Sequence, residues 1–447
     1  MDPTRSANHR TVFSLAWPVI VSLLSLTAMG LVDALFVGRL GTEELAAVGL
    51  AIPLVYLIFA APLGVLLGAK VVVAQRFGAG DSAGLDRAAW TSFVLAAALG
   101  VLGLTAGWWV LPVAHASGAP PAVASLAERY VLIRAHGAPL VFVFQAMQVA
   151  FQGRGNTRTP MAAVLISNVA TIALEPFLIF GAGPFAGMGI EGAALANTVG
   201  QGIGALALVR PFVRMNPWVA GAWDRASFRR ILDIGSPLGV QRFIEVGSFV
   251  VFSALVARVG AEGLAAHVLV LRIIGLSFLP AQGFAQASEV LTGQAVGAGN
   301  PGGARRSFVL AVQLAMTVSA TWAVLFVAIP GVLLAPFDLE PSVHETAVRL
   351  LAISAAFQIF DAMAEVAEGT LAGAGATRWV LATGVVESWL VRLPLSAFLA
   401  VGLGLGVEGV WGGLAIGIAL RGLVGSARVW WGARPIEVPS TALGATG

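Results

Sequence analysis

The stretch TVFSLAWPVIVSLLSLTAMGLVDALFVG (residues 11–38) lies between Arg10 and Arg39 and carries a single charge, Asp33. About 20 consecutive apolar residues suffice for a helix to cross a bilayer, so this run predicts a membrane span. It is much longer than the core of a signal peptide and is followed by no obvious cleavage site, so it is read as a retained helix. Working outward, residues 45–69, 88–127 and 307–337 contain no Asp, Glu, Lys or Arg, and residues 159–190 contain only Glu175. The remaining runs read the same way. Together they predict twelve spans, centred near residues 25, 57, 101, 141, 171, 201, 245, 276, 320, 361, 390 and 418.

The composition agrees. The 447 residues are 58% hydrophobic and 11% charged, and the mean hydropathy is +0.88. So few polar side chains cannot cover a water-soluble globule, which excludes a soluble enzyme and a disordered chain. Cysteine is absent, which excludes disulfides, thiolate metal sites and cysteine nucleophiles. The formal charge is +3 and Lys70 is the only lysine. No basic block of the kind that binds nucleic acid occurs.

Arginine placement sets the orientation. Arg5 and Arg10 precede the first span, Arg76 and Arg87 follow the second, and Arg154 and Arg158 follow the fourth. Arg210, Arg214, Arg225, Arg229 and Arg230 follow the sixth, Arg305 and Arg306 the eighth, Arg378 the tenth and Arg434 the last. The intervening connections hold far fewer, mainly Arg39 and Arg258. Both termini are therefore expected in the cytoplasm, with the chain threaded many times through the inner (plasma) membrane.

The chain also repeats itself. RLGTEELAA (39–47) returns as RVGAEGLAA (258–266), an offset of 219. At that offset Pro18 meets Pro237, Gln75 meets Gln294, and FGAGD (77–81) meets VGAGN (296–300). Further along, GRGNTR (153–158) pairs with GAGATR (373–378), and GIEG (189–192) with GVEG (406–409). The expected fold is an all-α polytopic membrane protein, with twelve helices in two homologous six-helix bundles around a central cleft. The expected domains are a first lobe over 1–211, a cytoplasmic linker over 212–230 containing Pro217 and Trp218, and a second lobe over 231–447. An even helix count gives both lobes the same topology, the hardware of alternating access.

Carboxylates at membrane depth are costly and mark function. Asp33 is the clearest case. Burial disfavours its ionised form, so it can take a proton or a cation, and Pro18 earlier in that helix allows a bend. Glu175 stands alone in the fifth span with Asn168 and Thr171 on its face. In the tenth span Gln358, Asp361, Glu365 and Glu368 form one polar stripe, on which one acid is expected to be protonated or cation-bound. The seventh span adds Gln241, Arg242 and Glu245. Glu289 and Glu387 are read as structural acids, with Arg242, Arg272 and Arg392 as available partners. The glycines from 402 to 417 are read as close helix packing. The run GAGNPG (297–302) matches a nucleotide-binding fingerprint in letters only, because it follows a membrane helix and not a strand. There is no P-loop, and the five histidines form no metal-ligand pair.

Taken together, WPVIVSLLSLTAMGLVDALFVGRLGTEELAAVGLA (17–51), SPLGVQRFIEVGSFVVFSALVARVGAEGLAAHVL (236–269), FQGRGNTRTP (151–160), FQIFDAMAEVAEGTLAGAGATR (357–378) and ALEPFLIFG (173–181) resemble the multidrug and toxic compound extrusion (MATE) family. The resemblance runs from about residue 11 to 431. It implies export of small organic cations in exchange for H⁺ or Na⁺, without a cofactor, by a monomer in the lipid bilayer. By position it implies ion coupling at Asp33, Glu175, Glu245 and Asp361, with Na⁺ a candidate at Glu245 and Asp361 and Pro18 as the hinge. Glu175 and Thr171 stand where members with a first-lobe proton site carry Asp and Asn, and no tyrosine lies near Asp33 in sequence. The alternatives are a lipid-linked precursor flippase of the same superfamily, for which Arg134, Arg242 and Arg272 speak, or a membrane channel or receptor.

Overall fold

The computed structural model of the chain describes residues 8–116, 118–182, 185–217 and 223–431. Arg5, Trp218 and Arg434 lie outside the described residues. Long helices dominate, because inside a bilayer the backbone must satisfy its own hydrogen bonds. They are α1 (His9–Gly38), α2 (Thr42–Gly78), α3 (Ser82–Ala116), α4 (Pro121–His136), α5 (Ala138–Gly153), α6 (Arg158–Phe180) and α7 (Ile190–Met215). After the linker come α8 (Arg225–Val259), α9 (Ala261–Gly297), α10 (Pro301–Ala328), the short α11 (Pro330–Leu334) and α12 (Pro341–Gly373). The next span strings together α13 (Thr377–Val385), a π-helical turn Val386–Arg392, α14 (Leu393–Ala397) and a second π-helical turn Phe398–Gly402. Helix α15 (Gly406–Trp431) closes the described chain.

Among the described residues, eleven helices are long and apolar enough to cross a membrane, and α4 with α5 makes a twelfth span bent by 49°. The bend falls at Gly137 with Pro139 just beyond, where the ring leaves no backbone N–H to continue the ladder. The expected twelve spans are all present. One antiparallel ladder interrupts the helical fold, pairing Gly181 with Ala186 and Ala182 with Phe185.

The duplication is visible in the backbone. Gly80 (φ 70°) and Gly299 (φ 66°) occupy the same left-handed turn, 219 residues apart. The next residue caps the following helix in each repeat. Asp81 Oδ1 accepts the Gly84 N–H at 2.8 Å, and Asn300 Oδ1 accepts the Gly303 N–H at 2.9 Å. GAGNPG is thus a turn and a helix cap.

The chain divides into two compact units, Val21–Gly239 and Met1–Ile20 with Val240–Gly447. The division falls inside α1 and inside α8, shortly after Pro18 and Pro237. In the first unit, the start of α8 lies on α2. A methyl group added to Gly68 would come within 2.6 Å of the Gly235 Cα, and one on Gly64 within 2.5 Å of the Gly239 Cα. In the second unit the start of α1 lies on α9, where a methyl group on Gly283 would collide with Ile20 and sit 3.3 Å from the Ala16 carbonyl. Gly64 and Gly283 are equivalent by the 219-residue offset, as are Ile20 and Gly239. Small residues let helix backbones approach where lipid gives no hydrophobic drive.

The first unit's core includes Phe59 and Phe142, packed edge to face at 5.4 Å. The second unit's core includes Phe252 and Trp411, with the buried His267 ring 5.7 Å from each.

Candidate functional sites

Each unit buries a group of ionisable side chains. In the first unit, Asp33 from α1 is 5% exposed and accepts a hydrogen bond from Asn197 Nδ2 of α7 at 3.3 Å. Glu175 from α6 is fully buried beside it. Both Glu175 oxygens lack a hydrogen-bond partner of good geometry. Pro176 follows within the helix. Asn168 Nδ2 donates to Ser25 Oγ of α1 at 2.6 Å, so this amide ties α6 to α1. Thr171 turns back on its own helix, donating to the Ser167 carbonyl at 3.0 Å. It also packs under Gly200 of α7, where no larger residue fits.

Two basic or phenolic groups complete this site. Arg134 of α4 is buried, donates to Thr198 Oγ1 at 3.3 Å, and lies 5.9 Å from the centre of the Phe59 ring. Its charge acts on Asp33. Tyr130, one turn before it, is also buried. Sequence reasoning weighed Arg134 only as a mark of a flippase and passed over Tyr130 and Asn197. Their positions in sequence gave no sign of which helix they would face.

In the second unit, Glu245 (α8), Asp361, Glu365 and Glu368 (α12) gather around Arg421 of α15. Arg421 Nη2 lies 2.9 Å from Glu365 Oε1 and 3.2 Å from Glu368 Oε2, and Nη1 lies 3.8 Å from Glu245 Oε1. Gln241 Nε2 donates to Glu368 Oε1 at 2.8 Å, and Arg242 Nη1 to Glu245 Oε2 at 3.4 Å. The polar stripe read on α12 is therefore divided. Gln358 donates to Ser277 Oγ at 2.6 Å, away from the arginine, and Asp361 Oδ2 is buried with no hydrogen-bond partner.

Glu387 and Arg392, both on the first π-helical turn, form a buried pair at 3.4 Å. Arg392 also donates to Ser248 Oγ at 2.9 Å and stacks 4.8 Å from the Phe249 ring. A cavity of about 10 Å³ separates Gln241 and Glu245 from Glu387 and Arg421, room for about one water. A larger apolar cavity of about 310 Å³, with Trp379, Leu420 and Val424 in its lining, also touches Glu387 and Arg421.

Five carboxylates, Glu245, Asp361, Glu365, Glu368 and Glu387, thus act on three guanidiniums, Arg242, Arg392 and Arg421. The group carries a formal excess of negative charge. Arg421 was missed from the sequence, where it is a lone arginine in a glycine-rich apolar span.

The family model MatE matches this chain twice, over residues 18–177 and 237–398. The two matches start 219 residues apart, in line with the duplication. A probable multidrug resistance protein NorM of Deinococcus radiodurans is 33% identical over 429 residues, covering 94% of each chain. One of Rhizobium meliloti is 28% identical over 436 residues, covering 95% of this chain and 93% of that one. Among solved structures, one described as MATE in the bent conformation superposes with a TM-score of 0.87 at 22% identity, over 99% of this chain and 98% of that one. An outward-facing multidrug resistance MATE family transporter gives 0.86 at 22% identity, over 94% and 95%. A Pyrococcus furiosus transporter, described as having a binding pocket of reverse polarity, gives 0.84 at 24% identity over the same shares.

Proposed function

This chain belongs to the MatE family, and from that premise we propose that it is a multidrug efflux antiporter, exporting small organic cations in exchange for H⁺ or Na⁺. The observation that carries this reading is a buried carboxyl in each unit with no basic partner to neutralise it at hydrogen-bond distance, Glu175 paired with the Asp33 carboxyl and Asp361 with its Oδ2 unsatisfied beside the Arg421 group. An uncompensated charge at membrane depth is costly. Occupation by a cation relieves it, and two kinds of cation can compete to do so. The coupling ion enters from outside, neutralises Asp33 or the Glu245/Asp361 group and releases substrate. An organic cation arriving from inside then replaces the ion. Only a difference in affinity between the two access states drives the cycle. Pro18 is the hinge in this reading, the expected lobes 1–211 and 231–447 are its working parts save that the start of α1 and the start of α8 each go with the other unit, and a monomer in the inner membrane with both termini cytoplasmic suffices.

Proteoliposome uptake of an ethidium-like cation tests the proposal, first under an imposed pH gradient and then under an imposed Na⁺ gradient. Accumulation under one of them is expected. Accumulation under neither, with transbilayer movement of a lipid-linked sugar instead, would establish the flippase reading.

A further inference from the structure

The second-unit acids are arranged as a cation site whose centre is already filled. Glu245, Glu365 and Glu368 come from two helices and turn oxygens toward one point, and the Arg421 guanidinium stands there, at 3.8, 2.9 and 3.2 Å. A hard metal cation needs several oxygen ligands around one centre. Here those oxygens are engaged. The second oxygen of Glu245 is held by Arg242 and that of Glu368 by Gln241. Asp361 Oδ2 is buried and unpartnered, but it is a single donor atom. Among the described residues, no three His, Cys, Asp or Glu side chains are grouped to hold a metal ion. Arginine does not give up its proton inside a protein. A metal ion entering this group would therefore face a fixed positive charge at short range in a poorly screened interior.

The fold builds Arg421 into place. Its side chain is 18% exposed. Helix α15 is brought close by glycines on either side of it. A methyl group on Gly417 would lie 2.6 Å from Glu387 Oε1, and Gly422 rests on the Phe360 carbonyl of α12. The repeat has no counterpart. The GIEG and GVEG segments set an offset of 217 at this helix, which aligns Arg421 with Gly204 of α7. There a methyl group would lie 2.9 Å from both Phe144 and Ser167, so the first unit has no space for a side chain at that position.

We propose that Arg421 is a tethered cation occupying the place a coupling metal would take, so that the second-unit acids exclude Na⁺. The expectation of Na⁺ at Glu245 and Asp361 is replaced by an ion specificity that this arginine sets. The proposal deepens the antiporter reading. It is tested by equilibrium binding, so its failure is distinct from a failure of transport.

Purified full-length protein in detergent is assayed for ²²Na⁺ retention at constant ionic strength with choline as the replacement ion. The wild type, R421Q, and R421Q combined with D361N are compared, and each is checked for folding by gel filtration and circular dichroism. The expected result is no saturable wild-type retention that E245Q or D361N removes. R421Q should bind Na⁺ saturably, at least about tenfold tighter than any wild-type signal, and D361N should remove that binding. Saturable wild-type binding that E245Q or D361N removes would overturn the proposal. So would a folded R421Q that binds no Na⁺. If R421Q does not fold, the wild-type arm decides alone. The ethidium uptake assay, run in parallel on the wild type, reports separately on the antiporter reading.

Discussion

Asn197 donates its side-chain amide to the Asp33 carboxylate across 3.3 Å, joining the seventh helix of the first unit to the first. This bond and the nearby Glu175 fix where the acid sits. Asp33→Asn keeps the shape of the side chain and removes its charge. It should leave the protein folded and abolish or strongly weaken ion-driven efflux, and transport at the wild-type rate would refute the role given to Asp33. Asn197→Ala removes a hydrogen bond worth about 1 kcal/mol, so a fall of about fivefold in uptake rate is expected.

Asp361 is expected to show the same separation of stability from transport. Its Oδ2 is buried and unsatisfied, a cost that a purely structural residue would not retain. Asp361→Asn should therefore leave the thermal midpoint in detergent unchanged or raised while reducing transport. A large drop in the midpoint would mean that the acid is a structural partner instead.

Close backbone contact between α2 and the start of α8 makes a packing prediction. Gly68 and Gly235 leave no space for a side chain between them. Gly68→Leu should lower stability by about 1–3 kcal/mol through overpacking, seen as a lower thermal midpoint. Gly275→Ala is the control, since nothing lies within 4 Å of that position.

Asp224 sits immediately before α8 as its N-terminal cap. Its carboxylate accepts the Ala226 N–H at 3.1 Å, the Ser227 N–H at 2.9 Å and the Ser227 hydroxyl at 2.6 Å. Burial pushes this carboxyl upward, but the Ser227 and Ala226 bonds, with the Arg87 charge, hold it below the ordinary aspartate range. A depressed folded value stabilises the protein above the unfolded value of about 3.9, and that stability is lost as pH falls through the folded value. Asp224→Ala should cost about 0.5–2 kcal/mol at neutral pH. In a pH series of melting curves, the gap to the wild type should narrow below about pH 3.9.

Much of the fold was legible because its signals are local. Runs of uncharged residues mark the spans, and the recurrence of Gly80 and Asp81 as Gly299 and Asn300 marks the repeat. The acids were legible for the same reason, since Asp33 and Glu175 stand out against apolar neighbours. Their partners were not. Asn197 is 164 positions from Asp33, and Arg421 is 56 from Glu365. Nothing in a single sequence says which helices will be adjacent. The α12 stripe shows the limit. Helical spacing put Asp361, Glu365 and Glu368 on one face, but only the approach of α15 decides that two of them are neutralised and one is left over. The π-helical turn that carries Glu387 and Arg392 also has no signature in the spacing of its residues.

The placement of the unit boundaries inside α1 and α8 has a consequence for how the protein is made. The unit formed by Val21–Gly239 lacks the start of α8 until the ribosome has passed Gly239. The opening turns of α1 are inserted first, yet must wait for α9, with Gly283, before they find their packing surface. Neither repeat can mature as a module by itself. A gene cut at the linker, between residues 211 and 231, would leave the first fragment without the segment that packs on α2 and the second without the one that packs on α9. Assembly in the membrane thus has two stages, the first unit closing once Gly239 has been made and the second only after α9 has followed, and a chain truncated between them would expose the unpaired start of α1.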